Sequence, residues 1–330
     1  MKEILIQLFE HKALSKKQAR EVLIDIADSK YNNSQIAAFL SVYLMRSITV
    51  EELEGFRDAL LELCLKIDFS GYECIDLCGT GGDGKNTFNI STLSSFVVAG
   101  AGIKVAKHGN YGVSSSCGSS NVMEYLGFKF LNDQYMLEKQ IDETGICFLH
   151  APMFHPAMKI VAPVRKELGV KTFFNMLGPL VNPAFPKYQV TGVFNLELAR
   201  LYNYLLQQTE KQFIILHSLD GYDEISLTGP FKMISKSREQ IMEPRSIGFV
   251  NLTQQDLYGG ETIKESADIF MNVIKGDGTK AQQDVVIINA AMAIQCSRST
   301  FSFQDCLYAA KESIDSKKAF HSFKKLLSLK

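Results

Sequence analysis

The sequence has 330 residues, of which 46% are hydrophobic and 22% charged, values that exclude general disorder. Lys and Arg number 35 against 36 Asp and Glu, a formal net charge of -1, so the molecule as a whole is no nucleic-acid-binding polycation and any basic site is local. This length suggests one large domain with a smaller companion, burying about 75% of the unfolded chain's surface.

In chain order, the first segment, Met1 to Glu10, is an amphipathic helix without the apolar stretch of a signal peptide. Ser15-Lys-Lys-Gln18 and Thr49-Val-Glu-Glu52 have capping-box spacing, in which a hydroxyl and a carboxyl or amide satisfy orphan helix donors. Ile36, Phe39, Leu40, Tyr43 and Leu44 recur at helical spacing. Residues 1–68 therefore read as a small bundle of four helices.

The texture then changes. Glu73 to Cys78 is a short buried-strand pattern running into a glycine turn, followed by a helix over Ser91–Gly100 and a strand over Ile103–Ala106. Further strands are expected at Gly145–Leu149, Tyr188–Val193 and Phe213–His217, and the alternation argues for a large α/β domain with a largely parallel sheet. A β-rich excursion is expected at Glu224–Ile234 and Ser246–Val250, before helical segments at Glu265–Lys275, Ala281–Cys296 and Phe303–Lys311 with its extension. The most apolar stretch, Val285–Cys296, is interrupted by Asn289 and Gln295 and is too short to span a bilayer. Seven scattered cysteines, an odd number without zinc spacing, read as reduced thiols of a cytoplasmic protein.

The stretch with the most chemistry is Gly79-Thr-Gly-Gly-Asp83 through Thr92, between a strand and a helix. There glycine permits close backbone approach to a ligand, and a helix start supplies oriented N–H donors. Gly79, Gly81 and Gly84 have dinucleotide-fingerprint spacing, but no helix opens at Gly84 and no acidic ribose partner follows. Gly79 to Lys85 has P-loop spacing, but Asn86 replaces the magnesium-binding hydroxyl. Between Asp83 and Glu124 there is no carboxylate, while Lys85, Lys104, Lys107, His108 and ten serines and threonines fall inside that window. A surface cleared of anions and filled with donors suits a ligand bearing several phosphates.

Lys107-His-Gly-Asn110 closes the second strand, so its loop and the glycine turn are expected at one sheet edge. Asp223-Glu224 follows the strand at Phe213–His217. Such a pair is often only a solvated turn, but beside phosphates it would hold a hard divalent cation. His155 and Arg165 fall ten residues apart on an expected helix, where an arginine suits a carboxylate.

Taken together, these motifs resemble the anthranilate phosphoribosyltransferase family over nearly the whole chain. Gly79–Asp83 matches its GTGGD signature, Lys107–Asn110 its KHGN, and Ser114-Ser115 its paired serines. The segments from His155 to Arg165 and from Asn175 to Ala184 match as well, as does Asp223-Glu224. The resemblance implies a small all-α domain, residues 1–68 with 163–184 returning to it, and a large α/β domain of nucleoside phosphorylase type, residues 72–160 and 187–330. It implies transfer of phosphoribose from phosphoribosyl pyrophosphate (PRPP) to anthranilate, the second committed step toward tryptophan.

By the same resemblance, PRPP is held by Gly79, Gly82, Asp83, Thr87, Asn89, Ser91, Thr92, Lys107, Ser115 and Ser119. Anthranilate falls to Gly79, His108, Asn110, His155, Arg165 and Pro179, and Mg²⁺ to Ser91, Asp223 and Glu224. No covalent nucleophile or general acid/base is assigned. A homodimer through the small helical domain is expected, with an anthranilate synthase subunit as a further partner and no nucleic acid or membrane. Two departures stand out: the family's Arg-Ala after KHGN is Tyr111-Gly112 here, and its GSAD is Gly118-Ser-Ser-Asn121. The alternative enzyme is a pyrimidine nucleoside phosphorylase, and the alternative of another class is a non-catalytic nucleic-acid-binding relative, which would carry an exposed basic stripe.

Overall fold

Helix-start chemistry organises the first part of the chain, and the computed structural model, which describes residues 1–112 and 117–329, contains both expected capping boxes. Four helices follow one another: α1 (Lys2–Phe9), α2 (Lys16–Ala27), α3 (Asn33–Met45) and α4 (Val50–Leu63). Next come β1 (Ile75–Leu77), α5 (Ile90–Gly100), β2 (Val105–Gly109), α6 (Ser119–Tyr125), α7 (Gln134–Thr144) and β3 (Ile146–His150). The chain continues through α8 (Ala151–Phe154), α9 (Pro156–Leu168), β4 (Tyr188–Gly192), α10 (Leu196–Gln207) and β5 (Gln212–Ser218). It ends with β6 (Phe231–Ser235), β7 (Glu239–Met242), α11 (Ile263–Ile274), α12 (Lys280–Ser297), α13 (Phe303–Asp315) and α14 (Lys318–Ser328).

The chain divides into two units. Unit 1 comprises Met1–Ile67 with Ala151–Pro183, and unit 2 comprises Asp68–His150 with Ala184–Lys330. The returning segment thus begins at Ala151, ahead of the expected 163. Apolar and backbone contacts explain the return. Phe173 stacks on Phe56 with ring centroids 4.4 Å apart, and the Leu65 N–H donates to the Phe154 carbonyl at 2.8 Å. The Glu52 carboxylate of the second capping box is wholly buried in this unit, accepting the Leu14 N–H and an Arg46 guanidinium N–H, each at 2.9 Å.

Unit 2 is built on a seven-stranded sheet of order β3-β2-β1-β4-β5-β6-β7. The first five strands in that order are parallel, and β6 and β7 are antiparallel. β1 is buried along its whole length, as a central parallel strand covered on both faces must be. From β1 the chain winds outward through β2 and β3, then returns to β4 on the other side. The point between β1 and β4 is therefore the topological switch, where open α/β sheets bind ligands outside the carboxyl ends of their strands. Phe96, Phe270 and Phe323 pack edge-on or tilted against one another in the core. α12, buried on nearly all sides, has the apolar circumference of an interior helix.

Two expectations about elements are corrected. Ser246–Val250 is not a strand: a 3-10 turn spans Pro244–Ile247 and ends at Gly248 with φ +90°. Pro244 lacks the N–H a ladder needs, and the left-handed glycine turns the chain away. His155 is not within a helix shared with Arg165 but is the N-cap of α9, because Pro156 is pre-set for the first helical position.

Candidate active site

The switch point carries the glycine turn. Beyond β1, the Cys78 and Thr80 N–H groups continue the ladder onto the Val190 and Gly192 carbonyls of β4, at 3.1 and 2.9 Å. Gly81, Gly82 and Gly84 then take φ of +62°, +81° and +73°, the left-handed region that glycine enters without a Cβ penalty. The turn reaches α5 through Thr87, Phe88 and Asn89, so the phosphate-type stretch leads from a strand end to the start of an eleven-residue helix.

Asp223 and Glu224 are brought onto this turn from the loop after β5. The Asp223 carboxylate accepts the Gly81 N–H at 2.6 Å, and Thr87 Oγ1 donates to Glu224 Oε1 at 3.4 Å. Burial pushes both carboxyl groups above the ordinary range. The negative charge of Asp83 adds to the effect on Asp223, and those of Asp223 and Asp83 add to the effect on Glu224. Glu224 Oε2 is buried and makes no hydrogen bond among the described residues, and the same holds for Thr80 Oγ1, Asn89 Oδ1 and Thr92 Oγ1. Buried polar atoms of this kind point to an unrecorded partner. Hard carboxylate oxygens crowded by like charge fit Mg²⁺, which is commonly held by one or two carboxylates with the remaining positions filled by water and substrate phosphate. Among the described residues, no three His, Cys, Asp or Glu side chains form a protein-only metal cluster.

Lys107 is 1% exposed, and its ammonium donates to the Leu77 carbonyl at 2.6 Å and to Ser91 Oγ at 3.5 Å. Burial lowers its pKa, opposed by the nearby carboxylates of Asp76 and Glu224. Lys104 does not join it: at the opening of β2 its ammonium caps the Ile141 carbonyl of α7 at 2.7 Å, and the acid-depleted window loses one of its cations to a structural role. Lys85 lies with its ammonium 4.6 Å from the Tyr222 ring centroid, next to the Asp223 loop. The His108 N–H donates to Asp76 Oδ1 at 3.0 Å. Asn110 follows β2, and its carbonyl accepts from the Ser119 hydroxyl at 3.3 Å and the Ser120 N–H at 3.2 Å. Ser114 and Ser115 lie outside the described residues.

The remaining expected acceptor residues belong to unit 1. His155 is buried, and burial lowers its pKa to about 4, against hydrogen bonds with the backbone of Val181 and Leu60. Arg165 donates to Asn175 Oδ1 at 3.1 Å and lies over the Phe174 ring, 5.4 Å from its centroid. Pro179 is buried in a 3-10 turn spanning Gly178–Leu180.

Three contributors were not singled out from sequence. Asp76 supplies a buried carboxylate to the β2 backbone. Gly192 ends β4 so close to Asp223 that a Cβ would stand 1.4 Å from the Asp223 carbonyl oxygen. Asn289 of α12 accepts the Ile225 N–H at 3.1 Å and donates to the Ile225 carbonyl at 2.9 Å, fixing the backbone just after the acidic pair. Only Asn289 left a local signal, an amide amid an apolar helix.

Comparison with known proteins gives a consistent picture. Residues 71–320 match the model of a glycosyl transferase family, a/b domain, and residues 2–64 match the helical bundle domain of a glycosyl transferase family. The chain is 62% identical to the anthranilate phosphoribosyltransferase of Christiangramia forsetii over 329 residues, 100% of this chain and 99% of that one. It is 52% identical to that of Bacteroides thetaiotaomicron over the same shares of both chains. Among solved structures, the anthranilate phosphoribosyltransferase of Thermus thermophilus superposes with a TM-score of 0.91 at 30% identity, covering 98% of each chain. The Saccharomyces cerevisiae enzyme in complex with PRPP and Mg superposes with a TM-score of 0.90 at 25% identity, covering 98% of this chain and 95% of that one.

Proposed function

The chain belongs to the anthranilate phosphoribosyltransferase family and is a pentosyltransferase, and from that premise we propose that it transfers phosphoribose from PRPP to the amine of anthranilate in the presence of Mg²⁺. The products are N-(5-phosphoribosyl)anthranilate and pyrophosphate, the second step toward tryptophan. The observation that carries this reading is the seating of the Asp223 carboxylate on the Gly81 N–H, which joins the acidic pair to a glycine turn of phosphate-binding type.

The donor's phosphates fall to the backbone of Gly79, Gly82 and Asp83, to Thr87, Asn89, Ser91 and Thr92 at the approach to α5, and to Lys107, Ser115 and Ser119. The unsatisfied oxygens of Asn89 and Thr92 support that assignment. Asp223, Glu224 and Ser91 would hold the magnesium ion. When bound, Mg²⁺ offsets the negative charge of the pyrophosphate. Arg165 provides the cation for anthranilate's carboxylate. Gly79, His108, Asn110, His155 and Pro179 complete the acceptor's contacts. His155, with its pKa near 4, is neutral at pH 7 and serves as a hydrogen-bonding ring rather than as a charge.

In the reaction, the amine lone pair forms the bond to the anomeric carbon and pyrophosphate leaves with the C–O electron pair. The amine proton passes to solvent. Neither step requires a protein nucleophile, and orientation of the two substrates supplies several kcal/mol of the barrier. The family resemblance also supports a homodimer through the helical unit, where Met45 is 88% exposed. Light scattering in solution tests that assembly.

The deciding assay mixes PRPP and anthranilate with the protein and follows loss of anthranilate fluorescence with and without Mg²⁺. Decay that requires both PRPP and Mg²⁺ supports the reading. No decay in the complete mixture, or phosphorolysis of a pyrimidine nucleoside in its place, overturns it.

A further inference from the structure

We propose that Asn121 is a positioning residue for the phosphoribosyl donor, because its amide oxygen ties the end of the Lys107–Asn110 motif to the start of α6. Asn121 Oδ1 accepts the Gly112 N–H at 2.9 Å and the Gly118 N–H at 3.0 Å. One acceptor atom thus closes two backbone donors that lie six residues apart in sequence. The two strands of backbone are in direct contact: a Cβ on Gly118 would stand 2.2 Å from the Gly112 nitrogen.

The same neck is laced at a second level. The Asn110 carbonyl accepts from both Ser119 and Ser120, and a Cβ on Gly109 would stand 2.7 Å from Ser119 Oγ. Ser120 Oγ is 2.9 Å from His150 Nδ1 at the end of β3. The His150 ring stacks on Phe130 at 4.5 Å and meets the edge of Tyr111 at 4.8 Å. The departures from the family pattern fall at Tyr111-Gly112 and Ser120-Asn121, and all four residues take part in this neck. Tyr111 packs where the family carries a cation. Asn121 supplies the acceptor that a carboxylate would supply, without its charge, next to residues assigned to a polyanion.

A backbone N–H left without a partner makes the neck mobile, and Asn110 and Ser119 lose their mutual register. The consequence falls on substrate placement, not on the fold, because Asn121 is only partly buried and the two donors it closes are backbone amides of the segment between β2 and α6.

This inference rests on the assignment of PRPP to Lys107 and Ser119, and the test separates the two. Wild type, Asn121→Ala and Asn121→Asp are compared by steady-state kinetics, thermal melting and hydrogen exchange of the Gly112 and Gly118 amides. Asn121→Ala is expected to raise KM for PRPP about tenfold, with kcat and KM for anthranilate within about threefold, for the loss of one well-placed acceptor. Its melting temperature should hold, and both amides should exchange faster. Asn121→Asp keeps the acceptor and should restore KM for PRPP and the protection of both amides. An unchanged KM in Asn121→Ala overturns the proposal, as does a KM raised as much in Asn121→Asp as in the alanine variant. Should the alanine variant fail to fold, Asn121→Ser, whose shorter side chain withdraws the acceptor from both amides, takes its place with the same expected and overturning outcomes. A wild type inactive toward PRPP would remove the donor assignment itself, and the amide exchange would then report a neck with no substrate to position.

Discussion

Gly192 and Asp223 meet backbone to backbone, with room for no more than a hydrogen between the end of β4 and the loop that carries the acidic pair. The contact sets the height of Asp223 above the glycine turn. Gly192→Ala drives a methyl group into a backbone carbonyl that cannot step aside without moving Glu224. We expect a loss of about 3 kcal/mol of stability, typical of severe overpacking, and collapse of turnover in the fraction that folds. Gly79→Ala is the contrasting case. Its Cβ would lie 2.5 Å from Asp223 Oδ2, the end of a side chain that can rotate away. Its melting temperature should fall by less than that of Gly192→Ala while turnover falls. Paired melts and rate measurements check both, and equal behaviour of the two variants would contradict the assignment.

Neutralising the acids should trade activity for stability. Asp223→Asn with Glu224→Gln keeps an oxygen for the Gly81 N–H and for Thr87 while removing two carboxyl groups whose ionised forms burial disfavours. We expect a higher melting temperature in metal-free buffer and a turnover in Mg²⁺ lower by about a hundredfold or more, the order seen when oriented electrostatic stabilisation is lost. Anthranilate binding should persist. Near-normal turnover would refute the metal assignment.

Asn289 supports the same loop from the opposite direction. Replacing it with leucine strands the Ile225 N–H and carbonyl in the interior. The cost should be about 2–4 kcal/mol, since two buried backbone groups lose their partners. Urea unfolding measures that cost. The kcat of the folded fraction tells whether the acidic pair has shifted with it.

His155 makes unit 1 acid-sensitive in a defined window. Burial puts its folded pKa at about 4, below the ordinary histidine value of 6.5. Between those values the unfolded chain binds a proton that the folded chain does not. The contribution of the neutral ring is therefore complete above pH 6.5 and is lost as pH falls toward 4, to a total of about 3 kcal/mol. The difference in unfolding free energy between wild type and His155→Gln, followed from pH 7 to 4, should shrink over that range. A difference independent of pH would contradict it.

Much of this molecule was legible because its signals are local. The Ser15–Gln18 and Thr49–Glu52 caps close within one helical turn. The glycine turn declared itself because left-handed backbone needs glycine at particular positions, whatever surrounds them. Strand positions are legible from short buried runs, except at Ser246–Val250, where apolar residues follow a proline that bars a ladder. Charge counting was cruder: Lys104 and Lys107 sit in one acid-free window, yet one caps a helix and the other is buried beside Ser91, because a strand carries its two ends to opposite edges of the sheet.

What the tertiary structure alone decided are the meetings across long sequence separations. Asp223 reaches Gly81 across 142 residues, and Asn289 reaches Ile225 across 64. No pattern within either segment encodes its partner. Those distances are set by the order of strands in the sheet and by which backbones approach too closely to admit a Cβ, and both exist only once the strands have paired.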